Sequence, residues 1–118
     1  MALIYDPVTN NISIPKETDE TLIISKKTGS FASPEVLYLK VKESPTATTA
    51  IITKEVDTFV GGAAYFEFDS ADTEDIAVGT YFYDIIYKTT TGAKPRLIPY
   101  EDCEVPTFKV CQVVTTDV

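Results

Sequence analysis

An alternation of apolar and polar residues with a period of two runs through most of this chain, and it excludes more folds than any other feature. Residues 36–42 read VLYLKVK, so Leu37, Leu39 and Val41 share one face of an extended segment while Tyr38, Lys40 and Lys42 share the other. Residues 64–69 (AYFEFD) repeat the pattern, with Ala64, Phe66 and Phe68 opposite Tyr65, Glu67 and Asp69. Such spacing sets every second side chain against a core and the rest in water, which a helix cannot do with the same residues. In residues 81–88 (YFYDIIYK), Tyr81, Tyr83, Ile85 and Tyr87 lie on one face, and Phe82, Asp84, Ile86 and Lys88 on the other. Rings on both faces predict a central strand.

The remaining segments extend the same reading. Residues 50–56 (AIITKEV) are β-branched enough for a strand, and Gly61-Gly62 predicts a turn that pairs them with residues 64–69 as a hairpin. The turn formers at residues 89–92 (TTTG) lead into a return strand at residues 95–100, where Pro99 marks an edge or a bulge. Residues 107–115 (TFKVCQVVT) close the sheet, and residues 11–14 and 21–26 are short strands near the start. Residues 1–10 are rich in turn formers and predict an extended N-terminal arm, reaching at most to residue 16. The acidic run at residues 69–78 (DSADTEDIAV) predicts one helical turn capped by Asp69 or Ser70. A chain of 118 residues removes roughly two-thirds of its unfolded surface from water on folding, enough for one core. The expectation is one domain over residues 1–118: all-β, an antiparallel immunoglobulin-like β-sandwich of about seven to eight strands.

Composition narrows function by exclusion. With 18 acidic against 10 basic residues the formal charge is −8, and Arg96 is the only arginine. Phosphate neutralisation needs clustered Lys and Arg, so neither nucleic acid nor an anionic membrane surface is an expected partner. The opening residues MALIYDPVTNN lack a basic flank and a sustained apolar run, so neither a secretory signal nor a membrane span is expected. The chain has no histidine, which removes Ser-His-Asp and Cys-His arrangements. Cys103 and Cys111 are too few ligands for structural zinc, and two reduced thiols are expected unless their Cα atoms lie within roughly 7 Å. Glu67 and Asp69 could pair on one strand face, but solvated surface charges are the better reading. Asp69, Asp72, Glu74 and Asp75 offer carboxylate oxygens for calcium, yet their order departs from an EF-hand loop and suits helix capping. No enzyme and no cofactor are expected.

The residue type in excess is tyrosine, with seven. A rigid ring packs well on a pleated sheet and also buries area at an interface with little entropy loss. Tyr38, Tyr65, Tyr83 and Tyr87 are therefore candidate outward rings for protein contacts, joined by Ile4 and Tyr5 of the arm, which could add a strand to a neighbour's sheet edge. Gly79, Tyr81 and Asp84 are candidate structural residues, with glycine expected to be needed for the turn before the strand and Asp84 to anchor that turn or a neighbouring strand.

Residues 66–87, FEFDSADTEDIAVGTYFYDIIY, resemble the β-sandwich domain at the N-terminus of tailed-phage baseplate proteins of the upper-baseplate type, and small prophage tail proteins. In that pattern an F-x-F strand leads into an acidic x-x-D-T turn, a G-T-Y-x-Y-D-I strand, a glycine turn and a closing F-x-V. The matching positions are Phe66 and Phe68; Asp72 and Thr73; Gly79, Thr80, Tyr81, Tyr83, Asp84 and Ile85; Gly92; and Phe108 and Val110. The likeness spans residues 17–111, with a late closing strand after residues 99–106 (PYEDCEVP). It implies a virion structural protein of tail, baseplate, head decoration or connector, contacting copies of itself and other virion proteins. Residues 76–85 (IAVGTYFYDI) are also similar to fibronectin type III and immunoglobulin-like modules, although Tyr81 stands one residue early and tryptophan is absent. That second likeness implies an adhesin or carbohydrate-binding module.

Overall fold

The computed structural model describes residues 3–26, 29–89, 96–98 and 105–112, with residues 96–98 described through the backbone. Predicted features at Gly92, Pro99, Tyr100 and Cys103 lie outside these residues. The described elements are β1 (Ile4–Tyr5), β2 (Ile12–Pro15), β3 (Glu20–Ile24), β4 (Val36–Lys42), β5 (Ile52–Val56), β6 (Ala64–Phe68), α1 (Ser70–Glu74), β7 (Gly79–Lys88), β8 (Arg96–Ile98) and β9 (Thr107–Cys111).

They form two sheets. The larger runs β1-β2-β9-β7-β4-β5, and β8 pairs with the C-terminal half of β7; the smaller is β3 with β6. Every pair is antiparallel except β2 with β9, which run parallel from Ile12 opposite Phe108 to Pro15 opposite Cys111. In chain order, β9, β7, β4 and β5 make a G-F-C-C′ row, and β3 and β6 stand at the B and E positions of the facing sheet. This is the connectivity of an immunoglobulin-type sandwich.

Alternation explains the layering. Leu37, Leu39 and Val41 of β4, Tyr83 and Ile85 of β7, and Phe108 and Val110 of β9 face inward and are buried. Leu22 and Ile24 of β3 and Ala64, Phe66 and Phe68 of β6 meet them from the other layer. Phe108 joins the sheets, with its ring 5.7 Å from that of Phe68 and 6.2 Å from that of Tyr83. Each such buried side chain contributes about 1.5–3 kcal/mol through removal of apolar surface from water.

Two sequence expectations need correction. Residues 50–56 and 64–69 do not form a hairpin: β5 pairs with β4 and β6 with β3, so the glycine turn carries the chain from one sheet to the other. Leu37, Leu39 and Val41 oppose Val56, Lys54 and Ile52 in that ladder. The N-terminal segment is not a free arm either. β1 folds back on β2, and β2 docks on β9 with Ile12 and Ile14 fully buried. Removing two such side chains from the core would cost several kcal/mol, which holds the segment in the sheet.

Short connections fix the layer crossings. Asp69 caps α1, and the Asp72 carboxylate accepts from the Asp69 backbone N–H at 2.7 Å. Thr73 of α1 is buried, and its Oγ1 accepts from the Glu17 N–H at 2.8 Å, tying the helix to the β2–β3 crossing. Gly62 has φ +79, and a Cβ there would overlap the Cβ and Oγ of Ser30, whose neighbour Phe31 donates its N–H to the Gly62 carbonyl at 3.0 Å. Gly79, expected to be required, is not: no left-handed φ constrains it, and an added Cβ would meet nothing within 4 Å. Gly62→Ala is predicted to lower the unfolding free energy in urea by about 1–3 kcal/mol, whereas Gly79→Ala changes it by less than about 0.5 kcal/mol. Equal effects at the two positions would contradict this assignment.

Candidate interaction surfaces

The central strand decides which rings are available for contact. Because Ile85 must face the core, Tyr83 two residues earlier does so too; it is 2% exposed and cannot be an outward contact. Its hydroxyl donates to the Asn10 carbonyl, the Asn10 backbone takes a left-handed φ of 65, and the Asn10 Oδ1 accepts from the Tyr5 hydroxyl at 2.6 Å. The Thr107 N–H donates to Asn11 Oδ1 at 2.9 Å, and the Leu3 N–H donates to Glu20 Oε1 at 2.7 Å. These bonds latch the β1–β2 hairpin to both sheets. Tyr5 is thus half-buried and turned to its own chain, while Ile4 remains 65% exposed. Burial, with a smaller contribution from Tyr5, pushes the Tyr83 phenol far above its usual value, and burial followed by the Asp6 charge raises Tyr5.

At the entry to β7, the Tyr81 hydroxyl donates to the Ala77 carbonyl at 2.6 Å, four residues upstream. That bond has the form of a tyrosine corner even though Tyr81 stands one residue early for the fibronectin pattern, and Tyr83 fills the buried position two residues on. Asp84 stands mid-strand on the outer side of β7, opposite Lys40 of β4, rather than at the turn.

Tyr87 is also not an outward ring. Its hydroxyl donates to Glu35 Oε2, and its ring lies 5.4 Å from that of Phe31, which is 2% exposed and stacks on Phe59 at 5.5 Å. The Lys26 ammonium sits over both Phe31 (5.2 Å) and Tyr87 (5.0 Å). The bond from Tyr87 and the N–H of Ala32 hold the Glu35 carboxyl below its usual range, while the bond with Tyr87 raises Lys26. This cluster pins the β3–β4 connection to the end of the large sheet. Sequence reasoning missed it because Phe31 stands alone among turn formers with no periodicity; an isolated ring in GSFASP was the available signal.

Among the described residues, two sheet faces remain outward. On the small sheet, Tyr65 (38% exposed) lies directly across from Ile23 (51% exposed), and Glu67 across from Thr21. On the large sheet, Tyr38, Lys40 and Lys42 of β4 stand beside Ile86, Asp84 and Phe82 of β7. Tyr38 is half-buried there, and burial, reinforced by the Glu55 and Asp57 charges, raises its phenol.

In the acidic turn two of the carboxylates are engaged within the fold. Asp72 is occupied by the helix cap and by Lys54 Nζ at 2.7 Å, and Asp69 is the cap residue. Among the described residues no group of three or more Asp, Glu, His or Cys converges to hold a metal ion. The Cys111 thiol is free and half-buried on β9. Among the described residues no helix is long and apolar enough to cross a membrane. No protein-family model, curated protein or solved structure matches the chain.

Tyr83 gives the sharpest pH test. Its folded pKa lies above the usual 10.0, so its contribution is complete below that pH and is lost as pH rises beyond it, because only the unfolded state then releases the proton. Stability is predicted to fall by about 1.4 kcal/mol per pH unit from this group alone above that point. In Tyr83→Phe the alkaline slope, measured by urea titration at each pH, is shallower by one proton; an unchanged slope would contradict the burial.

Proposed function

We propose that this chain is a non-enzymatic structural subunit of a tailed-phage or prophage virion, made in the host cytoplasm and working through contacts with copies of itself and with neighbouring virion proteins. The observation that carries the reading is the outward Ile23–Tyr65 pair on the sheet that β3 and β6 form among the described residues. A branched aliphatic and a ring directly opposite each other add stability when a partner covers them, and an aromatic anchor of this kind suits an interface centre. The likeness of residues 66–87 to baseplate β-sandwich domains supports the virion setting.

A second reading, an adhesin or sugar-binding module, draws on the immunoglobulin-type connectivity and on the half-buried Phe59 ring at the loop end. Sedimentation velocity over a concentration series and a glycan array on the same preparation separate the two. Concentration-dependent self-association with no glycan signal is expected, and Tyr65→Ala weakens it by about tenfold or more. A monomer that binds one sugar class selectively would overturn the virion reading in favour of the adhesin.

A further inference from the structure

The two outward faces differ in charge. Of the ten basic residues, Lys40 and Lys42 of β4, Lys88 of β7 and Lys109 of β9 alternate outward on the large sheet, against Glu55, Asp57 and Asp84. Lys40 and Lys109 are exposed, and Lys42 and Lys88 are half-buried. On the opposite side, Glu67 projects from β6, and Asp69, Glu74 and Asp75 follow it around α1. Asp19 joins them because its carboxylate accepts from the Ser70 N–H at 2.8 Å, and all five are exposed. Asp72 does not count, since Lys54 neutralises it. A chain with a net charge of −8 therefore gathers four lysines on one side, where they outnumber the acids, and a concentrated acidic edge on the other.

We infer that successive copies of this chain stack face to back, the basic outer face of the large sheet in one copy seated on the small sheet and acidic α1 edge of the next. The inference rests on the assembly reading and specifies its geometry. A contact between two like faces would set lysines against lysines or acids against acids, each desolvated, and like-charge juxtaposition costs several kcal/mol at an interface. The face-to-back arrangement pairs opposite charges around two apolar centres, Tyr38 with Ile86 on one side and Ile23 with Tyr65 on the other. Because the two patches are different, the contact is heterologous: it repeats, giving a ring if the rotation closes and a filament if it does not.

Two double variants test the polarity. Lys42→Glu with Lys109→Glu reverses the basic face, and Glu67→Lys with Glu74→Lys reverses the acidic edge; their cross-strand neighbours Phe82, Thr80, Ser13 and Thr21 carry no charge, so folding is spared. In sedimentation velocity the wild-type chain is expected to associate at low salt and to lose about tenfold or more in affinity at about 0.5 M salt, where screening falls to a few Å. Each variant alone is expected to be monomeric. Mixed one to one, they associate, the unaltered basic face of one variant on the unaltered acidic edge of the other and the two reversed surfaces on each other; this result also proves both folded. A mixture that stays monomeric, or self-association that survives in either variant, overturns the stacking while leaving an assembly role standing. A wild-type chain monomeric at every concentration removes self-assembly of any geometry.

Discussion

Burying the Tyr83 ring between two sheets takes its hydroxyl out of water, a loss of about 1–3 kcal/mol unless a partner is found. The Asn10 carbonyl is that partner, and it is offered by a backbone turned into a left-handed φ between β1 and β2. One interaction thereby decides several others. It satisfies the inner face of β7 that Ile85 turns to the core, and it ties the N-terminal hairpin to the central strand, while Phe82, Asp84 and Ile86 stay on the outer side. Two residues upstream, the Tyr81 corner bond fixes where the chain enters the strand. Adjacent inward tyrosines thus pin both the start of the central strand and the edge beyond it.

Once the hairpin is anchored, a donated arm is no longer the means of contact. What the fold leaves for a partner is an apolar pair on the small sheet and a mixed, lysine-bearing face on the large one. The acidic excess of the composition is not spread evenly: the helical turn and the strands beside it carry much of it, because carboxylates suit the first turn of a helix and the solvent side of a narrow sheet. A protein with so small a second layer exposes the back of that layer, and charge placement then decides which way copies meet.

The strands were legible because alternation is a local signal. β4 was placed to the residue, the helical turn and its Asp69 cap were recognisable from the acidic run, and the sandwich class followed. Pairing was less legible. A Gly-Gly turn between two strand-like segments reads as a hairpin, and only the competition from β4 for β5, and from β3 for β6, sends those strands to different sheets. The tyrosines show the same limit. Alternation put Tyr81, Tyr83 and Tyr87 on one face, but whether that face is inner depends on what covers it, and Ile85 settles this only when the facing sheet is known. Ile12 and Ile14 were read as a short strand yet not as core, because their partner lies almost a hundred residues away in the chain, beyond the reach of local pattern. Phe31, Lys26 and Glu35 act through contacts between loop and sheet that leave no period at all.

The central claim is that the N-terminal hairpin is part of the sandwich, so that contact with other proteins falls to the sheet faces. Amide hydrogen exchange followed residue by residue tests it most directly. Amides of β2 should exchange with protection comparable to those of β9, their ladder partner. Exchange of β2 at the rate of an unstructured peptide, with β4 and β7 still protected, would contradict the account.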